Sequence, residues 1–305
     1  MLHEIKSKQL IHNRVESLKK AINSSKVLMP SNVSKFVFLC GANKSQHEIS
    51  ERRKALMEFA KTNLPHTHFF LAEKMFKTLK EEGHKGNILD VENLISDFSD
   101  NILIILESPS SFAELGAFSH DKLRDKLVVI NNTQFQKEES FINLGPIKAI
   151  EETSGKERII YYKMKPDGVN KRDAIGDTFH SIYQIFKEPI KVTNKSIDLE
   201  SLNPAKNFDK KSAMFLHDLI YLSGPIFHKE LIEILKIIFG VDKFNNVTHL
   251  LAILSSFESI ERNGIGLYKS RKEQTFYEFK FDTFKYISVF RNYILKNYPE
   301  RIYGY

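Results

Sequence analysis

Two hydrophobic spacings share the first 190 residues of this 305-residue chain, and together they predict strands alternating with helices. Residues 36–40 (FVFLC) and 102–106 (ILIIL) are unbroken apolar runs, the mark of strands buried on both faces. The runs at 67–71, 126–131 and 158–162 extend the set. Between them, apolar residues three and four apart predict helices over 47–61, 87–98, 111–118 and 172–187. Gly83 and Gly86 form the loop ahead of the second of these. A further helix is expected over 5–26, with Leu10, Ile11, Val15, Leu18 and Ile22 on one face, broken by Met29-Pro30-Ser31-Asn32. This alternation predicts an α/β fold of the Rossmann-like kind: a parallel sheet covered on both sides, with ligands held beyond the carboxyl ends of its strands.

The pattern changes after residue 188. Residues 189–209, polar and containing Pro204, read as a linker. Helical spacing returns over 213–222, 228–239 and 247–259, and a last helix is expected over 284–298. Between them, 260–268, with Asn263-Gly264, and 275–281 alternate like a β-ribbon. Three helices followed by a hairpin is the order of a winged helix-turn-helix. Its wing would bring Arg262, Lys269, Arg271 and Lys272 to the phosphates of a nucleic acid. The stripe Phe276, Tyr277, Phe279 and Phe281 reads as packing. The expected organisation is a basic helical segment (1–30), a catalytic domain (31–188), a linker (189–209) and a nucleic-acid- or partner-binding domain (210–305).

Charge sharpens this division. Of the net +7, residues 1–30 carry +4 and residues 206–305 another +4, while 31–205 sum to −1. A near-neutral centre between basic ends fits an enzyme core flanked by segments that meet a polyanion. A single cysteine, Cys40, excludes a disulfide framework and any zinc site built of several thiolates, as suits a reducing cytoplasm. No apolar run approaches the roughly 20 residues needed to span a bilayer, and the first residues show no signal-peptide core. A soluble cytoplasmic protein is expected, with no membrane partner.

Candidate chemistry concentrates in Glu107-Ser-Pro-Ser-Ser-Phe-Ala-Glu114-Leu-Gly-Ala-Phe118, a turn rich in hydroxyls between a buried strand and a helix. Backbone N–H groups at the helix start, with Ser108, Ser110 and Ser111, can hold ligand oxygens. Glu114 can attack a sugar carbon or stabilise positive charge on it. A glutamate near a helix start can also simply satisfy free N–H groups. Glu107 reads as a second acid, a hydroxyl ligand or a partner that closes the loop. Asp100 reads as a turn residue, and Asp90 and Glu92 as a solvated helix face. Gly41, after the first strand, permits close approach of backbone to ligand. The chain has no Gly-x-Gly-x-x-Gly, no Gly-Lys-Ser/Thr loop and no Gly-x-Ser-x-Gly elbow, which argues against a dehydrogenase, a P-loop nucleotidase or a serine hydrolase. His47, His66 and His68 lack the companions of a zinc site, and no metal is expected.

On these residues the chain resembles the nucleoside 2-deoxyribosyltransferase-like superfamily. The likeness is carried by Asp100, the strand after it, the Ser-rich turn and Glu114-Leu-Gly. It more specifically resembles the effector branch of retron antiphage systems, which pairs such a domain with a C-terminal winged helix. Phe38-Leu-Cys-Gly41, the Glu107–Ser119 block and Ser140-Phe-Ile-Asn143-Leu-Gly-Pro146 carry that likeness, in the same order. The resemblance implies cleavage of an N-glycosidic bond, with Glu114 as nucleophile and Asp100 as a substrate-contacting acid. Ser108, Ser111 and Asn143 map to substrate-binding or loop-organising positions. It further implies NAD as substrate rather than cofactor, and a toxin held in check by a retron reverse transcriptase and its multicopy single-stranded DNA, with room for a homo-oligomer or filament. One departure, Pro109-Ser-Ser-Phe112 where base-exchanging enzymes carry a Gly-containing turn, favours hydrolysis over exchange. Two rival readings are a deoxyribosyltransferase or N-glycosidase acting on nucleotides or DNA, and a nucleotide-sensing DNA-binding regulator without catalysis.

Overall fold

A computed structural model describes residues 9–46, 48–81, 95–96, 98–193 and 195–303. The chain divides into two units, one of residues 33–73 and 86–190, the other of residues 1–32, 74–85 and 191–305. Helix α1 (Gln9–Asn23) belongs to the latter, and the former begins with β1 (Lys35–Cys40).

Five strands make up the sheet of this former unit: β1, β2 (Thr67–Phe70), β3 (Asn101–Ile105), β4 (Leu127–Asn132) and β5 (Ile159–Tyr162). All pair in parallel, in the order β2-β1-β3-β4-β5. The helices around them are α2 (Glu51–Asn63), α4 (Pro109–Phe118) and α5 (Phe179–Phe186), while α3 (Ala72–Glu81) starts in this unit and continues in the other. Because side chains alternate along a strand, the apolar runs serve both faces. Val37, Leu39, Leu103, Ile105, Val128 and Ile130 pack with Leu56 and Ala60 of α2 and Ile182 and Phe186 of α5. On the other face Phe36 stacks on Phe98, and Phe38 meets the edge of Phe118 from α4. Burial on both faces explains why no polar residue interrupts 102–106: each fully buried Ile or Leu contributes about 1.5–3 kcal/mol. The strand order reverses between β1 and β3. The crevice beyond the carboxyl ends of that pair is therefore where such a sheet receives a ligand.

Several boundaries differ from expectation, each for a local reason. Residues 43–49 form a small hairpin (Asn43–Ser45 with Glu48–Ile49), so α2 starts at Glu51 rather than 47. Ser50 caps it, accepting the Arg53 N–H. His47 itself, and Asp90, Glu92 and most of the helix expected over 87–98, lie outside the described residues. Only the second half of 172–187 is α-helical. A 3-10 turn, Ala174–Thr178, precedes it, because Asp173 accepts the Ile175 N–H and starts the tighter turn.

In the other unit α1 packs against α7 (His228–Phe239) and α9 (Thr283–Asn297), after α6 (Lys210–Ser223) and β6 (Ile226–Phe227), with α8 (Val247–Ser256) between. Lys19 Nζ donates to Ile237 O near the end of α7 at 3.2 Å. The first helix thus joins the C-terminal residues instead of forming a segment of its own. Strands β7 (Ile260–Arg262) and β8 (Leu267–Ser270) form the Asn263-Gly264 hairpin, and β6 completes an antiparallel sheet in the order β6-β8-β7. Residues 275–281 do not continue this ribbon: Glu278–Phe279 pairs with Val27–Leu28. The expected linker is partly folded, with a 3-10 turn at Glu200–Leu202 and with Leu202 and Asn203 buried. Among the described residues no helix is long and apolar enough to cross a membrane.

Candidate active site

The end of β3 feeds directly into the capped start of α4. Ser108, in extended conformation, accepts the Ser111 N–H at 3.3 Å, and Pro109 occupies the first helical position, where its missing N–H costs nothing. Ser111 is buried, and its hydroxyl is spent inside the turn. It accepts the N–H groups of Glu107 and Ser108, both at 3.1 Å, and donates to Ser108 O at 2.7 Å. Ser111 therefore builds the turn and has no hydroxyl valence left for a substrate, so of its two expected roles the bonds describe the loop-organising one. Ser108 caps the helix while touching the exposed Ser110 hydroxyl at 2.9 Å.

Glu114 stands one turn further along, at the sixth helical position, half-buried, with its Oε2 shielded from solvent. The helix start is already served by Ser108 and Ser111, so Glu114 is not the residue that caps α4. It places a carboxyl group in the helix that follows the reversal of strand order.

Glu107 has a different office. Its side chain is fully buried; Oε1 accepts the Ala42 N–H at 3.0 Å and the Ser50 hydroxyl at 2.6 Å, and Oε2 pairs with Arg52 Nη1 at 3.0 Å. Of the three readings open for it, the loop-closing partner is the one these bonds describe. It ties together the ends of β1 and β3 and the start of α2. Gly41 is needed for this: a Cβ there would stand 2.9 Å from Glu107 Oε1 and 3.1 Å from Arg53 Cδ.

Behind Glu107 the ionic chain continues. Arg52 Nε donates to Asp173 Oδ2 at 2.9 Å and Nη2 to Lys165 O at 2.6 Å, while Tyr162 Oη donates to Asp173 Oδ2 at 3.1 Å. Burial opposes the charge on Arg52, but the bonds from Asp173 and Glu107 outweigh it and raise its pKa. Burial likewise drives the Tyr162 phenol above its ordinary value, so it stays protonated and donates. Gly168 lets Arg52 pass, since a Cβ there would overlap its guanidinium. Next to it, Arg53 is buried and forks onto Glu73, with Nη1–Oε1 at 2.7 Å and Nη2–Oε2 at 3.1 Å, and reaches Leu39 O and Asn43 Oδ1 at 2.9 and 3.0 Å. Burial would raise the Glu73 carboxyl, but Arg53 outweighs it and holds the pKa below the usual glutamate value.

Asp100 does not join this group. It lies before β3, at the opposite end of that strand from Glu107, and the strand alone spans roughly 17 Å. Its Oδ2 accepts the Phe36 N–H at 2.7 Å, and its own N–H donates to Phe36 O, so it fastens the starts of β1 and β3. It is the turn residue its position suggested, not a contact for a substrate at the carboxyl edge. Asn143 organises the loop after β4: its amide donates to Phe135 O at 2.6 Å and Glu138 O at 2.7 Å. In the hairpin of the other unit, Arg262, Lys269 and Arg271 are exposed, the last two beside Glu261. Lys272 is turned inward, its ammonium 4.5 Å from the Phe276 ring centre, and burial lowers its pKa to about 8. It differs from the three exposed cations as a phosphate contact. Among the described residues no group of three or more His, Cys, Asp or Glu comes together to hold a metal.

Arg52, Arg53, Ser50, Glu73, Tyr162 and Asp173 escaped the sequence reading. One signal was present: two consecutive arginines in the first turn of a helix oppose the helix dipole, which requires buried acids to hold them there.

The model of the STM3845 retron effector protein family matches residues 48–262, well over half of the chain. The chain belongs to this retron effector family. An Escherichia coli protein named "Retron Ec73 putative ribosyltransferase/DNA-binding protein" is 42% identical to this retron effector over 292 residues, covering 93% of the chain and 92% of that protein. A second E. coli protein, "Retron Ec86 putative ribosyltransferase/DNA-binding protein", is 34% identical over 127 residues, 41% of this effector and 40% of its own length.

Proposed function

We propose that this retron effector is an N-glycoside hydrolase of the nucleoside deoxyribosyltransferase-like kind, which cleaves NAD to nicotinamide and ADP-ribose. In this reading it is the toxin of an antiphage defence system, kept inactive by the retron reverse transcriptase and its msDNA. The observation that carries the proposal is the position of Glu114: half-buried, one turn into a helix whose cap is complete without it, just after the strand where the sheet order reverses. The word ribosyltransferase in the names of the two relatives supports the same bond.

The chemistry follows from charge. The carboxylate of Glu114 meets ribose C1′ as the bond to the nicotinamide nitrogen breaks, and the electron pair of that bond neutralises the pyridinium. Nicotinamide leaves uncharged, so no strong general acid is needed. Water then attacks C1′ of the glycosyl ester, its proton passes to solvent water, and ADP-ribose leaves with the carboxylate returned, as in retaining glycosidases. Glu107 cannot assist this second step as a base, since both its oxygens are committed to Ala42, Ser50 and Arg52. Glu114→Gln is expected to lower kcat on the order of 10³-fold or more with unchanged thermal stability. Undiminished NAD loss in that variant removes Glu114 from the mechanism. Release of a base from nucleotides or DNA, with NAD untouched, transfers the chemistry to a different glycoside.

The C-terminal unit supports a second part of the proposal. We read helix, strand, two helices and a hairpin as a winged helix, a reading supported by the strand order β6-β8-β7. We assign its exposed Arg262, Lys269 and Arg271 to a nucleic-acid backbone, a reading supported by the DNA-binding names of the relatives.

A further inference from the structure

We infer that Glu73, backed by Arg53, forms a subsite for the second ribose of a dinucleotide and selects a free 2′-hydroxyl over a 2′-phosphate. The inference rests on the NAD-cleaving reading and adds to it the part of the substrate that does not react.

Position comes first. Glu73 follows the carboxyl end of β2, and β1 alone separates β2 from β3 in the sheet. Two strand spacings, about 10 Å, therefore part the strand that leads to Glu73 from the strand that leads into α4. A dinucleotide has a second ribose to place across such a span, and a mononucleotide has none. The bond between the two places is physical: Arg53 runs beneath Gly41, at the end of β1, and forks onto both oxygens of Glu73.

Chemistry comes second. The arginine is buried to 1% exposure, whereas the Glu73 side chain keeps 37%. Arg53 occupies one lone pair on each carboxylate oxygen, the Asn43 side chain and the backbone N–H of Glu73 also bond to the group, and its exposed edge faces the open side. It also holds the group ionised, since its pull outweighs the effect of burial. A fixed, ionised carboxylate with two acceptors is matched by a vicinal diol, which has two O–H donors. It repels a phosphate. Take the carboxylate's charge away and the same place presents a guanidinium fork, which suits phosphate. The pair thus specifies not only a preference but the change that reverses it.

The test uses the purified chain with NAD, its 2′-phosphorylated form NADP, and nicotinamide mononucleotide, which lacks the second ribose. Binding is measured by calorimetry in Glu114→Gln protein, and initial rates in protein with Glu114 intact. With Glu73 present, NADP is expected to bind at least about tenfold more weakly than NAD and to show a KM raised to match. In Glu73→Gln that ratio falls by about tenfold or more, toward or past equality. A carboxylate that merely balances Arg53 predicts a different result: all three compounds weaken together and no preference changes. Equal use of NAD and NADP by the unaltered protein also overturns the subsite. Preferential binding of NAD without cleavage keeps the subsite and refutes the hydrolase. Cleavage without discrimination does the opposite.

Discussion

Glu107 and Arg52 show what a buried charge costs when its partner is removed. Each is almost fully buried, and the pair is tolerable because every charged atom has a fixed partner: Glu107 has Ala42, Ser50 and Arg52, and Arg52 has Glu107, Asp173 and Lys165 O. Arg52→Met leaves two carboxylates facing each other in a dry interior. It is expected to cost about 3–5 kcal/mol in chemical denaturation. Arg172→Met, which breaks the open Arg172–Glu58 pair, is expected to cost less than about 1 kcal/mol. Equal losses would mean that water reaches Arg52. This is also where the sequence was least legible. Glu107 stood out for its place after an apolar run, and its local alternatives could not be separated, because its partners come from residues 42, 50 and 52 across the sheet. Asp100 had the reverse fault. A family likeness drew it toward the substrate, whereas its bond to Phe36 N places it at the far end of the strand.

Elements were easier to read than partners, and the reason is period. Strands β1 and β3 have apolar side chains on both faces, and only a doubly covered sheet accommodates that. Helix starts lie two to four residues from where periodicity predicts them, because side chains decide them: Ser50 begins α2 and Ser108 begins α4. In α4 the cap also has a functional consequence. Ser111 holds the N–H groups of Glu107 and Ser108 and so fixes the turn from which the helix of Glu114 grows. Ser111→Ala takes the acceptor from the Ser108 N–H, while the Glu107 N–H keeps Ile105 O. The variant is expected to lose about 1–2 kcal/mol of stability and to lower kcat more than it raises KM. A variant that keeps kcat and loses only KM would return Ser111 to the substrate-binding role that the turn does not support. Gly41 belongs to the same small set of backbone positions, required by the approach of Glu107 and Arg53 rather than by a turn type.

For the whole molecule, charge distribution was legible and the grouping of elements was not. The apolar stripe of α1 states that the helix is covered, but nothing local in it names α7 and α9 as the cover. The basic ends therefore belong to one unit, residues 1–32 with 74–85 and 191–305, and its excess of Lys and Arg gives that unit the electrostatics of a polyanion binder. Binding to single-stranded DNA should then fall steeply with salt, and Ser substitution at Arg262, Lys269 or Arg271 should each reduce the log–log salt slope by about 0.7. Lys272 is the informative exception, since its ammonium lies over Phe276 with a pKa lowered to about 8. If it met a phosphate, its charge would vanish between pH 7 and 9 while the exposed lysines and arginines kept theirs, and affinity would drop through that interval. The inward position predicts a flat affinity from pH 7 to 9. The same burial gives stability the opposite sign of dependence. The folded pKa lies below the ordinary value of 10.5, so between about pH 8 and 10.5 the unfolded chain holds a proton that the folded chain has released. The Lys272 contribution to stability therefore rises with pH across that window, and Lys272→Met should flatten the Tm profile there relative to the parent chain. A binding step near pH 8, with no change in the Tm profile on substitution, would place Lys272 outward among the phosphate contacts.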